Sequence, residues 1–259
     1  MDYWKKQTEP LFKDLEWNFP EKKSNTVSII GGNSNNFSNI IKLAEYLSTT
    51  YPVNEVKITL PDALKNQLPP LPGLNLVKST DSGSFAKSIE LNSVLKTSDF
   101  SILAGDFSKN SATTIALSEA ASGADCPLVL TRDAVDLLTP EMPNLIEEHR
   151  FIILASMAQL QKLFRALLYP KMVLLSEPLL PTLETLHKFT LSYENSTIIT
   201  LHQNQIIIAN GGKIITTPID KTKYNPLTLF NSHLSADLSA YNLWNPGAPL
   251  EASSAALLH

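Results

Sequence analysis

Short apolar runs alternate with amphipathic stretches along most of the chain. The clearest unit is residues 98–138, SDFSILAGDFSKNSATTIALSEAASGADCPLVLTRDAVDLL. Residues 100–104 are an apolar run closed by Gly105, and 106–111 are a polar loop. Residues 112–121 favour a helix that Gly123 can end, and 128–130 give a second buried strand. Strand, helix and strand in this order predict a right-handed crossover in a parallel sheet covered on both faces. Such sheets bind ligands beyond the carboxyl ends of their strands. Any small-molecule site therefore belongs near Gly105-Asp106 and Thr131-Arg132-Asp133.

The same alternation runs through the first two thirds of the chain. It predicts strands at 26–30, 55–60, 74–78 (an edge strand), 151–154 and 172–175. Helices fall between them at 38–48, 85–96, 134–138, 143–148, 158–168 and 179–189, with a short one starting at Pro61-Asp62. In the first helix Ile40, Ile41, Leu43, Ala44 and Leu47 share a face. In the second, Phe85, Ile89 and either Leu91 or Leu95 are expected to face inward. An antiparallel meander follows at 196–201, 205–209 and 214–218, turning at His202-Gln203-Asn204 and Gly211-Gly212. Helices at 235–243 and 249–258 close the chain. Residues 1–26 are polar with interspersed Tyr3, Trp4, Phe12, Trp17 and Phe19. They read as an arm laid over the body and anchored by those rings, with a partner-binding or dimer-forming arm as the alternative. No linker is evident, so residues 27–259 are expected to form one α/β domain.

Composition narrows the function classes. The 259 residues are 43% hydrophobic and 18% charged, which is globular rather than disordered. A net charge of −4 without a basic cluster argues against nucleic acid as a partner. The single cysteine, Cys126, excludes an internal disulfide framework and reads as a small buried hydrophobe. No signal-like or membrane-spanning apolar run is present, so a cytoplasmic protein is expected. Only 9 residues are glycine, leaving few places for a loop whose amides cradle phosphate.

Motifs bearing chemistry are sparse. Gly31-Gly32 between a strand and a helix suits phosphate or substrate, but equally a tight turn whose asparagines cap the helix. The pattern is not G-x-G-x-x-G, which counts against a Rossmann-type dinucleotide site. Neither a nucleophile elbow nor a Walker motif occurs, and the five histidines lack metal-ligand spacing. Asp106 reads as a solvated loop carboxylate that could instead aid a metal or phosphate water, and His233 as a surface-loop residue within reach of a phosphate.

Four stretches, together spanning most of residues 27–259, resemble the ribokinase-like superfamily, in particular its ADP- or ATP-dependent NAD(P)H-hydrate dehydratases. VSIIGGNSNNFSNIIKLAEYL (27–47) is similar to the opening strand, Gly-Gly turn and helix, with Ser38-Asn39 where the family has Gly-Ala. SDFSILAGDFSKNSATT (98–114) resembles the G-P-G-L-G segment but keeps only Gly105, with Phe107 among the replacements. PLVLTRDAVDLL (127–138) resembles D-A-D-A-L-N-L-L, with Thr131 for the first Asp and Asp133 for the second. SADLSAYNLWNPGAPLEASSAALLH (235–259) is similar to the closing G-x-G-D and P-x-E-A-A helices.

The resemblance implies a ribokinase-like three-layer α/β/α fold, mostly parallel, with a meander and two closing helices. It implies Asp237 as catalytic acid/base, Ser235, Ala236 and Asp237 at the nucleotide, and Asn39, Gly105, Phe107, Asp133 and Met157 at the substrate. Met157 stands near the place of the histidine in T-P-H-P-G-E, and the nucleotide-binding L-K-G is replaced by Leu191-Ser192-Tyr193-Glu194. Leu234 and Ala236 replace anion-hole glycines, whose amides stabilise transition-state charge. Two functions follow. One is a divergent hydrate dehydratase or related small-molecule kinase using ADP or ATP, with Mg²⁺ as a candidate cofactor and NAD(P)H hydrate as substrate. The other is a catalytically silent scaffold, without cofactor, acting as a binding or assembly partner or a homo-oligomer. Asp237 and Asp133 also read as plain helix N-caps.

Overall fold

The structure, a computed structural model, describes residues 2–7, 18–86, 88–220, 222, 229–231 and 233–257. Its strands are β1 (Trp4–Lys6), β2 (Ser24–Ile30), β3 (Val53–Pro61), β4 (Leu74–Val77), β5 (Phe100–Leu103), β6 (Leu128–Thr131), β7 (Phe151–Leu154), β8 (Ser196–His202), β9 (Gln205–Asn210) and β10 (Lys213–Pro218). They form one sheet in the order β1-β10-β9-β8-β7-β6-β5-β2-β3-β4. Among the described residues only β9 is antiparallel to its neighbours; all other pairs are parallel. Gln203 and Asn204, both at positive φ, make the tight turn between β8 and β9.

The helices are α1 (Ser38–Thr50), α2 (Ser88–Lys96), α3 (Ser111–Ser122), α4 (Asp133–Leu138), α5 (Met142–Leu145), α6 (Met157–Ala166), α7 (Leu179–Ser192), α8 (Leu234–Trp244) and α9 (Pro249–Ala256). Strand side chains alternate between two cores. Ile30, Leu103, Leu130, Ile153 and Ile198 face the layer of α2 to α7. Ile29, Ile102, Val129, Ile152 and Ile199 face that of α1, α8 and α9. Covering both faces explains why the central strands read as unbroken apolar runs. The result is the three-layer α/β/α architecture expected from the sequence.

Several expectations need correction. The second helix begins at Ser88, not at residue 85, so Leu91 and Leu95 are fully buried one turn apart while Ile89 is 78% exposed. Phe85 lies before the helix, bridged to Ser79. Residues 172–175 form no strand, because β7 already has β6 and β8 as its two neighbours. Instead the Val173 carbonyl accepts a hydrogen bond from the Gln161 side chain at 2.8 Å. The start of the arm is not laid over the body: Trp4–Lys6 extends the sheet beside β10, with Trp4 Nε1 donating to Thr216 Oγ1 at 3.0 Å. Tyr3 stacks on His187, and Phe19 packs among Tyr51, Tyr241 and Trp244. Phe12, Trp17, Leu258 and His259 lie outside the described residues. No helix among the described residues is long and apolar enough to cross a membrane.

The chain reverses its progress through the sheet at β2, which has β3 on one side and β5 on the other. Beyond these carboxyl ends, Gly32 N donates to the Gly105 carbonyl at 2.9 Å. Gly105 has φ +84°, and a Cβ there would stand 2.7 Å from Arg132 Cβ. Gly105→Ala is therefore expected to destabilise the protein by roughly 1–3 kcal/mol. Thermal unfolding checks this; a Tm unchanged to within about 1 °C would contradict the contact.

Candidate functional site

The loops after β2, β5 and β6 converge on Asp106, which is 3% exposed rather than solvated. Asn33 Nδ2 donates to its carbonyl at 2.6 Å and Asn36 Nδ2 to its Oδ1 at 3.4 Å. Arg132 Nη1 pairs with Oδ2 at 2.5 Å. Asp106 and Arg132 both hold positive φ, 60° and 56°. Such backbone is strained for residues other than glycine and persists where its surroundings over-determine it. Here a buried ion pair and two asparagine amides do so. Asn33 Oδ1 also accepts from the amides of Asn35 and Asn36, so this asparagine shapes the loop. It does not cap α1, whose N-cap Phe37 makes no side-chain bond.

A cavity of about 150 Å³ opens beside this knot, at the carboxyl ends of β5 and β6. Asn39 and Lys42 of α1 form one wall, Thr131 and Arg132 another, and His233 and Ser235 the third. Phe230 closes it, its carbonyl accepting from Thr131 Oγ1 at 2.8 Å. Three cationic or titratable side chains, Lys42, Arg132 and His233, thus meet hydroxyl and amide donors. This set suits a phosphate or carboxylate, as does the position at the reversal of strand order. It does not suit a divalent cation, because the Asp106 oxygens already face Arg132 and Asn36. Among the described residues no group of three or more His, Cys, Asp or Glu could hold a metal.

Of the residues that the sequence singled out, Asn39 and Ser235 line this cavity, and Gly105 forms the turn beside it. Phe107 is instead buried in the core against Phe85, with ring centroids 5.6 Å apart. Met157 is likewise a buried core residue at the start of α6. Asp133 opens α4 without capping it and lies 3.4 Å from Lys109 Nζ. Thr131 and Arg132, named from their place at a strand end, and His233, named as within reach of a phosphate, line it too; Lys42 was missed. Lys42 lies three residues after Asn39, hence on the same helical face, which was the available signal. Nothing local in the sequence points to Phe230.

Asp237, two residues after the cavity-lining Ser235, is buried at 2% exposure, as is Ala236. The hydroxyls of Tyr46 and Tyr51 both donate to its Oδ1, each at 2.8 Å. Burial first, and then the Asp237 charge, push both phenols above their ordinary range. Tyr46 also stacks on His233 at 4.1 Å. Asp237 is not a helix cap: α8 starts at Leu234, with His233 as N-cap and no side-chain capping bond. The amides of Ala236 and Asp237 both donate to the His233 carbonyl, at 2.8 and 3.1 Å.

No family model matches the chain, and no curated protein does. Solved structures do. A ribokinase-like superfamily protein from Enterococcus faecalis V583 has a TM-score of 0.70 at 14% identity, over 99% of this chain and 85% of that one. YxkO of Bacillus subtilis, a UPF0031 family member, gives 0.66 at 15%, over 97% and 87%. The pyridoxal kinase of Staphylococcus aureus, in complex with AMP-PCP and pyridoxal, gives 0.52 at 12%, over 90% and 85%. These likenesses, together with the order of the ten-stranded sheet, establish that the chain has the ribokinase-like fold.

Proposed function

We propose that this protein is a catalytically silent relative of the NAD(P)H-hydrate dehydratases, which binds the phosphate end of an adenine nucleotide without turning over a substrate. The observation that carries this reading is the Asp237 carboxylate, buried and held by two tyrosine hydroxyls instead of lining the cavity. A general base must reach the proton it abstracts, and here Oδ1 accepts from two phenols instead. The start of α8 supports the same reading. Its Ala236 and Asp237 amides bond back to His233, leaving few to face developing charge.

Ligand binding is the function that the remaining groups serve. About 150 Å³ is room for a phosphate group; Lys42 brings positive charge, and His233 and the Asp106-paired Arg132 bring further nitrogen groups. Binding fits the nucleotide complex of the similar Staphylococcus aureus kinase. Residues 2–7 and the meander then serve the scaffold rather than the chemistry.

ATP and ADP are expected to raise Tm in a thermal-shift titration, and Lys42→Ala to weaken that shift. Ligand at a hundred times its Kd adds about 2.7 kcal/mol, which is readily seen. Incubation with ATP or ADP and NADPH hydrate is expected to give no dehydration above background. Nucleotide-dependent dehydration that disappears in Asp237→Asn would overturn the proposal.

The tyrosine clamp makes a separate prediction. Tyr51→Phe removes a hydrogen bond to a buried carboxylate and is expected to cost roughly 1.5–3 kcal/mol in denaturant unfolding. Folding raises these phenols above the free value of about 10, so on alkalinisation the unfolded chain loses its protons first. The stability they supply is complete below about pH 10 and is lost above it. Comparing wild type and Tyr51→Phe at pH 8 and above pH 10 should show a shallower alkaline fall in the variant; identical falls would contradict the clamp.

A further inference from the structure

A second cavity, of about 180 Å³, lies at the other end of the sheet, where β5, β7 and β8 begin and α8 hands over to α9. Its size is that of a cavity that accepts a benzene ring, about 150 Å³. Buried Phe100, Phe151 and Ile152 give it an apolar floor, and Pro246 and Pro249 an apolar wall.

The polar groups on that wall are unusual in what they leave open. Thr197 is 2% exposed, yet its hydroxyl makes no hydrogen bond with any described residue. Asn242 is 6% exposed, and its Nδ2 donates to the Leu238 carbonyl at 2.9 Å and to Ser253 Oγ at 3.1 Å. A carbonyl can only accept, so the orientation of this amide is fixed and Oδ1 remains an acceptor without a partner among the described residues. Asn210 repeats the arrangement: its Nδ2 donates to the carbonyls of Glu194 and Ser196, both at 3.2 Å, which leaves its oxygen over. All three residues line the cavity, where such atoms are within reach of a ligand. At the mouth stand Arg150 and Glu194, exposed and of opposite sign, so neither charge is selected.

We infer that this cavity is a second ligand site, which takes an uncharged flat aromatic or heteroaromatic molecule carrying N–H donors, such as an aryl carboxamide. The ring fills the apolar slot, and the N–H groups satisfy Asn242 Oδ1 and Thr197 Oγ1. The site stands apart from the phosphate cavity and does not depend on it.

The test titrates the full-length protein, followed by amide NMR, with benzamide and with acetophenone, which has the same shape but no N–H. Benzamide is expected to perturb the signals of Thr197, Asn210 and Asn242 and to bind about fivefold tighter than acetophenone, the worth of one net hydrogen bond. Thr197→Val should reduce that preference. Equal binding of the two probes, perturbation confined to Lys42, Thr131 and Ser235, or no perturbation at about 5 mM would each overturn the proposal. The probe comparison stands on the wild-type protein alone, whether or not the variant folds.

Discussion

Where Gly32 donates to the carbonyl of Gly105, the chain has just changed direction through the sheet. From β2 it builds outward to β3 and β4, then crosses back to lay β5 on the other side of β2. That crossing must leave a crevice beyond the strand ends, since the connections diverge from it. The two loops flanking it approach so closely that a side chain at residue 31 would also meet the Gly105 carbonyl, at 2.7 Å. Glycine is thus demanded on both sides in a chain with only nine. Everything at the candidate site hangs from this closure. Asp106 is buried because Gly105 turns it inward, and Arg132 takes its strained backbone to reach Asp106.

The buried carboxylate of Asp237 is the second knot, and it ties different elements. Tyr46 comes from α1, Tyr51 from the residue after it, and Asp237 from the first turn of α8. A charged group this deep is stable only when its hydrogen bonds are met. Two phenols meet them here, at the expense of access from the cavity. The clamp therefore joins α1 to α8 on one face of the sheet, while the Asp106–Arg132 pair joins β5 to β6 at its crest. The cavity that Lys42, Arg132 and His233 line lies between the two knots.

The fold was legible because its signal is local and repeated. Each central strand is a short apolar run, and each helix carries its own period, so element order followed from residues 26–218 read in sequence. Residues 151–154 even kept their bounds. The failures were of two physical kinds. Residues 172–175 have the composition of a strand, but strand pairing is a property of neighbours, and both sides of β7 are taken by β6 and β8. Ile89 was misplaced because Phe85, four residues earlier, is buried from outside the helix and does not mark its inward face. At the site, the positions of Asn39, Ser235 and Gly105 were legible from strand ends and the resemblance. The tyrosine clamp was not, because Tyr46 and Tyr51 are 191 and 186 residues from Asp237 and nothing local to either marks the contact. Phe107 and Met157 illustrate the converse: a position aligned with a functional motif was occupied by an apolar side chain, and the core absorbed it.

That substitution pattern has a direction. An active site must keep polar groups unpaired, backbone strained and a cavity open, each of which lowers stability. At this crest the groups turn to one another instead. Arg132 neutralises Asp106, phenols occupy Asp237, and the amides at the start of α8 bond within their own turn. Apolar Phe107 and Met157 join the core nearby. The strain at Asp106 and Arg132 is held by the pair they form, at the ends of β5 and β6. Beside this closure the topology leaves a space of about 150 Å³, on which Lys42, His233 and the Asp106-paired Arg132 converge.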